Sequence, residues 1–389
     1  MQSFRNILFL SLLEIIFASY NQCFSDGFNN SDVVVKGFWK KRVQYEVADS
    51  NKVSCPIFNW HHNNCGHFHC DSKCYRGYIW TTTGCKSEEF DAELFLKTLE
   101  NKRLALVGDS MARQHFASLS CLLFDYLAPT YDAQIKDLQM QYSPHLNVSC
   151  PLFGGKDVRC LSFRFNVTIC AGPINIENSD LTVFNTGGIH FPNKTEYKDN
   201  LEKQLSHFKY SKYFPYGNKL LIFRETSPQA FKGIGSGYYE VRESIEDAEK
   251  CMSASNLAND DSGTDIRFSY TDMFTNVTRW FMPWRQRLER DIIERAGIPY
   301  WKIYKLSHTL PCDGLGHVGF EPSPPTPAPT TLAPAIRRNG SNPMELPPAM
   351  PDFRLDCTHF CLPGVPDVWS YMLYNFVRHS PLMALIKTS

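Results

Sequence analysis

The sequence predicts an α/β fold built on a doubly wound parallel sheet. Three observations carry that expectation. Residues 104–107, 181–184 and 220–223 are short apolar runs bounded by turn residues, the texture of strands. They are apolar throughout rather than alternating, as strands buried on both faces of a parallel sheet are. Stretches of helical character fall between and after them, the βα alternation from which such sheets are wound.

In chain order, residues 104–107 run into Gly108-Asp109-Ser110 and then a helix, along which Phe116, Leu119, Leu123 and Leu127 recur at helical spacing. The run 181–184 ends at Asn185-Thr186-Gly187-Gly188 and is followed by a polar helical stretch over about 196–209. The run 220–223 ends at Arg224-Glu225-Thr226-Ser227-Pro228. A long helix is predicted over 279–296, stopped by Gly297, then a fourth strand over 300–306. Residues 366–379 form a last helix with Trp369, Leu373 and Phe376 on one side. In sheets of this kind sites form at the carboxyl ends of strands, which places Ser110, Asn185 and the segment 224–227 on one edge.

The chain of 389 residues, 43% of them hydrophobic, is long enough for one large domain with a small appendage. Residues 1–25 read as a signal peptide or signal anchor: Arg5 precedes an apolar run over 7–20 broken only by Glu14. Residues 26–54 form a polar stem, 55–102 a small cysteine-rich segment, and 103–389 the catalytic domain, into which 321–351 inserts a solvated loop rich in Pro and Thr. The 14 cysteines fit an oxidising compartment. Glycosylation sequons at Asn29, Asn147, Asn166, Asn193, Asn276 and Asn339 fit the same lumen. Cleavage after Ser25 would remove Cys23 and leave an odd number of cysteines. Lys+Arg 40 against Asp+Glu 40 leaves no basic excess to hold a nucleic acid.

Acyl transfer through serine needs an exposed hydroxyl, a base within reach and a group that orients the base. Gly108-Asp109-Ser110 at a strand-to-helix turn can supply the hydroxyl, with the Ser110 N–H at the helix N-terminus as an oxyanion donor. By itself the tripeptide is as readily an ordinary helix cap. Asp356 and His359, three residues apart, would project to one side of a helical turn, His359 as the base and Asp356 as the carboxylate that orients it. Asn185 could donate its amide to the oxyanion, although a turn role is the commoner one for Asn-Thr-Gly-Gly.

These blocks together resemble the trichome birefringence-like, PC-esterase-type family. The resemblance lies in Gly108-Asp109-Ser110-Met111-Ala112-Arg113, in Val183-Phe184-Asn185-Thr186-Gly187, in Phe223-Arg224-Glu225-Thr226-Ser227-Pro228, and above all in the block from Asp356 through His359 to Trp369. Cys55-Pro56-Ile57-Phe58, Trp80 and Gly84-Cys85 fit as well. The resemblance implies an SGNH-hydrolase-like fold and polysaccharide O-acetyltransferase activity in the secretory pathway, in the Golgi lumen or after secretion. It implies Ser110 as the acetyl-accepting nucleophile, His359 as base, Asp356 as its partner, and Asn185, Gly187 and Arg113 as oxyanion or site-lining residues. It also implies bridges Cys55–Cys121 and Cys65–Cys361.

The sequence departs from the family where Gly188-Ile189-His190-Phe191 follows Asn-Thr-Gly, where Gln114-His115 follows the arginine, at Asp313-Gly314-Leu315-Gly316-His317, and in lacking an early cysteine close to Gly37-Phe38-Trp39. These departures bear on the acceptor more than on the chemistry. His61, His62, Cys65, His67, His69, Cys70 and Cys74 would suit zinc, but disulfides are the expected state in an oxidising lumen, and no metal is expected. The expected partners are a polysaccharide or glycan acceptor and, through the apolar leader, a membrane. No bound cofactor is expected. An acetyl donor, acetyl-CoA or another acetylated compound, is required. An acetylesterase would use the same triad with water as acceptor, and an inactive glycan-binding scaffold is the reading from a different class.

Overall fold

The computed structural model describes residues 22–25, 36–41, 68–69, 78–128, 159–172, 179–191, 193–209, 219–228, 268–271, 278–281, 284–308, 317–320, 355–360 and 364–387. In chain order the strands and helices are β1 (Gly37–Lys41), β2 (Phe68–His69), β3 (Tyr78–Thr82), α1 (Ala92–Thr98), β4 (Arg103–Val107), α2 (Ser110–Leu122), β5 (Arg159–Phe163), β6 (Val167–Gly172), β7 (Leu181–Phe184), α3 (Lys194–Lys209) and β8 (Leu220–Arg224). They continue with β9 (Phe268–Thr271), β10 (Thr278–Phe281), α4 (Trp284–Arg295), β11 (Tyr300–Trp301), α5 (Tyr304–His308), β12 (His317–Phe320), β13 (Leu355–Phe360), α6 (Val365–His379) and α7 (Ala384–Lys387).

Six strands form the central sheet in the order β11-β8-β7-β4-β6-β5. The three apolar runs are its middle. Leu104 pairs with Leu181 on one side and Ile169 on the other, and Val183 pairs with Ile222, all in parallel register. Successive residues of a strand point to opposite faces, and the core divides accordingly. Leu104, Leu106, Leu220 and Ile222 join one apolar cluster with Phe95 of α1, Phe116 of α2 and Trp369 of α6. Ala105, Val107, Leu221 and Phe223 join a second with Leu201 of α3 and Ile293 of α4. Helices therefore cover both faces, as the doubly wound expectation requires.

The sheet is not wholly parallel. β5 closes one edge antiparallel to β6, with Cys160 directly opposite Cys170 and disulfide-bonded to it. This pair was not read in the sequence, because Arg164 and Asn166 interrupt the apolar pattern. Both lie in the tight 3₁₀ turn that joins the strands, where Phe165 and Asn166 have positive φ.

Three boundaries differ from the sequence expectation. The helix predicted from 279 begins only at Trp284, and its first residues instead form β10, hydrogen-bonded to β9. Pro283 has no N–H to extend the helix backward. The strand predicted over 300–306 stops at Trp301. The Glu225 carboxylate accepts the N–H groups of Ile303 (2.8 Å) and Tyr304 (2.7 Å), which draws the chain out of the ladder and into α5. The helix after Ser110 ends at Leu122, and Leu127 instead bridges to Phe163.

Gln22–Ser25 belongs to the folded domain. Cys23 is disulfide-bonded to Cys85, its N–H donates to the Lys86 carbonyl (3.0 Å), and the Phe24 ring packs edge-on against Phe376 at 5.8 Å. A leader boundary at Ser25 would cut this bond, so Cys23 is structural. Trp39 packs on Trp80 where β1 pairs with β3. Cys121 is disulfide-bonded as well. Cys55, Cys65 and Cys361 lie outside the described residues, as do Asn29, Asn147, Asn276, Asn339 and the segment 321–351. Among the described residues no helix is long and apolar enough to cross a membrane. The apolar run 7–20 lies outside them.

Candidate active site

β4 lies beside both β6 and β7, so the chain winds outward from it in two directions, and its carboxyl end is the crevice where such sheets place ligands. Gly108 makes the turn there, at φ 150°; a Cβ on it would stand 3.0 Å from the Asn185 carbonyl oxygen. Asp109 caps α2 by accepting the Met111 N–H at 3.0 Å, and Ser110 is the first helical residue. The cap and the nucleophile readings of this tripeptide are therefore compatible: Asp109 is the cap, and Ser110 stands at the positive end of a 13-residue helix.

The second Asp109 oxygen faces His190 Nε2 at 3.4 Å. Burial pushes the Asp109 carboxyl up, but His190, Arg224 and the Met111 N–H together hold it below its usual value. The hydrogen bond to Asp109 raises His190, against partial burial and the charge of Arg113. His190 thus reaches the turn that carries Ser110. Arg113, one turn into α2, is half-buried.

Asn185 and Gly187 occupy the end of β7. The Asn185 amide donates to the Arg224 carbonyl (2.9 Å) and the Thr226 hydroxyl (3.1 Å), while its oxygen accepts the Gly187 N–H (2.7 Å). Gly187 is left-handed at φ 67°. Both Asn185 amide protons and the Gly187 N–H are engaged within the strand-end turn. Oxyanion donation by either residue would require one of these bonds to open.

Behind this turn lies a buried polar network that the sequence did not disclose. Glu289 accepts from Tyr197 Oη (2.6 Å), the Thr226 N–H (3.1 Å) and hydroxyl, and Tyr300 Oη (3.2 Å), and Tyr300 stands equally close to Glu225. Burial pushes Glu225 up to about 7, with the Tyr304 and Ile303 N–H groups pulling the other way; burial also raises Glu289. From the same helix Arg285 Nε donates to the Gly188 carbonyl (2.9 Å) and Gln286 to the Thr226 carbonyl (3.0 Å). α4 therefore holds both strand-end loops.

On the other side of the sheet the Arg224 guanidinium lies 4.7 Å from the Trp369 ring centre and 3.4 Å from His115 Nδ1. Burial lowers Arg224 to about 10 against the charge of Asp109. Burial, then Arg224, takes His115 well below its usual value, so that histidine is neutral.

Asp356 and His359 lie in β13, which pairs with β12, so the argument from a helical turn does not apply to them. Their side chains are outside the described ones, as are the side chain of His69 and the whole of the other residues considered for zinc. What the structure does show is the next residue. Gln114 of α2 donates its amide to the Phe360 carbonyl (2.7 Å) and accepts the Phe360 N–H (3.1 Å).

Residues 88–152 and 333–376 match the PC-Esterase family, described as a GDSL/SGNH-like acyl-esterase family found in Pmr5 and Cas1p. The first block contains Ser110, the second Asp356 and His359. The chain is 24% identical over 335 residues to xylan O-acetyltransferase 13 of Oryza sativa subsp. japonica, covering 78% of this chain and 62% of the relative. Xylan O-acetyltransferase 12 of the same plant gives 24% over 335 residues, 78% of this chain and 61% of the relative. Protein trichome berefringence-like 7 of Arabidopsis thaliana is 23% identical over 413 residues, 94% of this chain and 78% of that protein. The chain thus resembles the family anticipated from its motifs, and it spans less than two thirds of the length of the two rice relatives.

Proposed function

We propose that this protein is a secretory-pathway O-acetyltransferase that moves an acetyl group through acetyl-Ser110 onto hydroxyls of a polysaccharide or glycan. One observation carries the reading. The two sequence blocks that match an acyl-esterase family are far apart in the chain, and the Gln114–Phe360 pair joins them in space. The names of the rice relatives support transfer to a polysaccharide, with xylan as the first acceptor to try.

In the proposed cycle Ser110 Oγ attacks the acetyl carbonyl while His359 takes the hydroxyl proton, and Asp356 steadies the resulting imidazolium. The tetrahedral oxyanion collapses, the bond to the donor's leaving group breaks, and His359 returns the proton to that group. A sugar hydroxyl then attacks acetyl-Ser110, His359 takes its proton, and Ser110 leaves with that proton restored. The helix end at Ser110, with its own N–H, supplies the positive potential facing the oxyanion. The cation of Arg224 and the Asp109–His190 pair set the field around it. The disulfides Cys23–Cys85 and Cys160–Cys170 support a lumenal site of action, for which the Golgi is the proposed compartment.

The test is incubation of the purified protein with acetyl-CoA or an acetylated donor and a panel of oligosaccharides that includes xylan fragments. Acetylated sugar formed by the native protein and not by Ser110→Ala is the expected result. The matched family's description as acyl-esterases favours a second reading, in which water is the acceptor. Acetate release from acetylated sugars without any transfer would select it. Equal behaviour of the native protein and Ser110→Ala removes the serine mechanism from both.

A further inference from the structure

The helix that presents Ser110 also carries a polar stripe. Ser110, Gln114 and Ser118 stand four residues apart in turn and therefore share one face of α2. Gln114 is buried, at 2% exposure, and makes the two-bond pair with Phe360. Ser118 donates to Asp367 Oδ1 and lies 3.4 Å from the Ser370 hydroxyl, while the other Asp367 oxygen accepts the Gly364 N–H at 2.8 Å. The stripe thus takes hold of the chain at the end of β13 and at the start of α6.

The chemistry of the first clip is specific. Phe360 is the last residue of β13 and is fully buried, with its ring edge-on to Trp369 at 5.6 Å. A buried backbone N–H and carbonyl must both find partners. A glutamine amide offers one donor and one acceptor, the complement of a peptide group. Leucine offers neither, and an ionised glutamate offers acceptors alone. His359 is the residue immediately before Phe360. Gln114 sits about 6 Å along the helix axis from Ser110, and one strand residue spans about 3.3 Å. Fixing Phe360 therefore fixes the backbone position of His359.

We infer that Gln114 is a positioning residue, whose amide sets the register of β13 on α2 and through it carries His359 to Ser110. Ser118 and Asp367 hold the far end of the same segment. The inference rests on the Ser110–His359 reading proposed above.

The experiment uses the full chain with 4-nitrophenyl acetate as acetyl donor, following acetate release and acetyl-Ser110. Ser110→Ala and His359→Ala test the underlying reading, and both should lose turnover. Gln114→Leu should keep a cooperative melt and KM while kcat falls about 10- to 100-fold, the scale on which small misplacements of a reacting group act. Gln114→Glu gives the sharper signature. Protonated, it reproduces both hydrogen bonds, so its kcat should approach that of the native protein at acid pH. It should then fall away from the native profile as the carboxyl ionises. Loss of turnover in the Ser110 and His359 variants, with Gln114→Leu folded and within twofold of native kcat, overturns the inference and leaves the triad standing. Should Gln114→Leu not fold, a Gln114→Glu profile parallel to the native one overturns it instead. Activity retained in His359→Ala removes the triad itself, and the inference with it.

Discussion

The two faces of the central sheet are packed by different physics. On the α2–α6 face Trp369, Leu373, Phe376, Phe95 and Phe116 fill the space, and the polar groups are clips such as Gln114 and Ser118 and the Arg224–His115 pair. On the α3–α4 face an apolar cluster around Ile293 and Phe223 borders a layer of buried ionisable groups: Glu225, Glu289, Tyr197, Tyr300 and Arg285. The first face yields burial free energy and carries the helix that begins at Ser110. The second holds irregular loops, whose backbone groups need partners that apolar side chains cannot provide. Scaffold and loop positioning are thus divided between the faces of one sheet, and substitutions on the two should fail in different ways.

The largest effect is expected on the apolar face. Trp369→Ala should cost about 3–5 kcal/mol, read by denaturant unfolding, and should disturb the site too, because Trp369 touches Arg224 and Phe360.

On the polar face the next largest effect appears as a pH slope. Glu225 is raised from the ordinary 4.5 to about 7. Between those values the folded chain retains a proton that the unfolded chain has lost. The Glu225 contribution to stability is therefore fully present below about 4.5, falls as pH rises to about 7, and levels off above it, by up to ~3 kcal/mol. Glu225→Gln keeps an oxygen for the Ile303 and Tyr304 N–H groups and should flatten that part of a plot of melting temperature against pH.

A pair of near-isosteric changes then separates the faces directly. Met372→Leu in the apolar cluster should cost less than about 1.5 kcal/mol. Glu289→Gln turns an acceptor into a donor facing donors and should cost roughly 1–3 kcal/mol, with a fall in kcat as the Thr226–Asn185 link loosens. Equal costs in the two would erase the distinction.

The smallest effect belongs to the rim. His190 is raised by Asp109, so its contribution is fully present below the ordinary histidine value and is lost as pH rises through the raised one. With the side chain 63% exposed, solvent screening limits His190→Gln to about 0.5 kcal/mol, visible in melts compared at acid and alkaline pH.

The same division explains what could be read from the sequence. The strands at 104–107, 181–184 and 220–223 were legible because burial on both faces leaves an uninterrupted apolar run. Ser110 was legible as part of a turn motif. Glu289, Arg285 and Gln286 were not, because their partners Thr226, Tyr197 and Gly188 lie some 60 to 97 residues away, and a charged residue in an amphipathic helix ordinarily faces water. Asp356 and His359 stood out as a motif but were placed on a helical turn instead of a strand: nothing in six residues of local sequence shows that β12 waits to pair with them. Asn185 was legible as a polar strand end, and only the positions of Arg224 and Thr226 show where its amide is spent.

The bond between Cys23 and Cys85 also orders the protein's biogenesis. Cys23 stands 62 positions ahead of its partner, so during translocation it enters the oxidising lumen before Cys85 is there to pair with it. A recombinant chain begun at residue 26 would leave Cys85 with an orphan thiol, detectable as one additional alkylation in the denatured mass. It would also be open to exchange with the other disulfides. Expression designs for this protein should begin no later than Gln22, or replace Cys85 together with the residues removed.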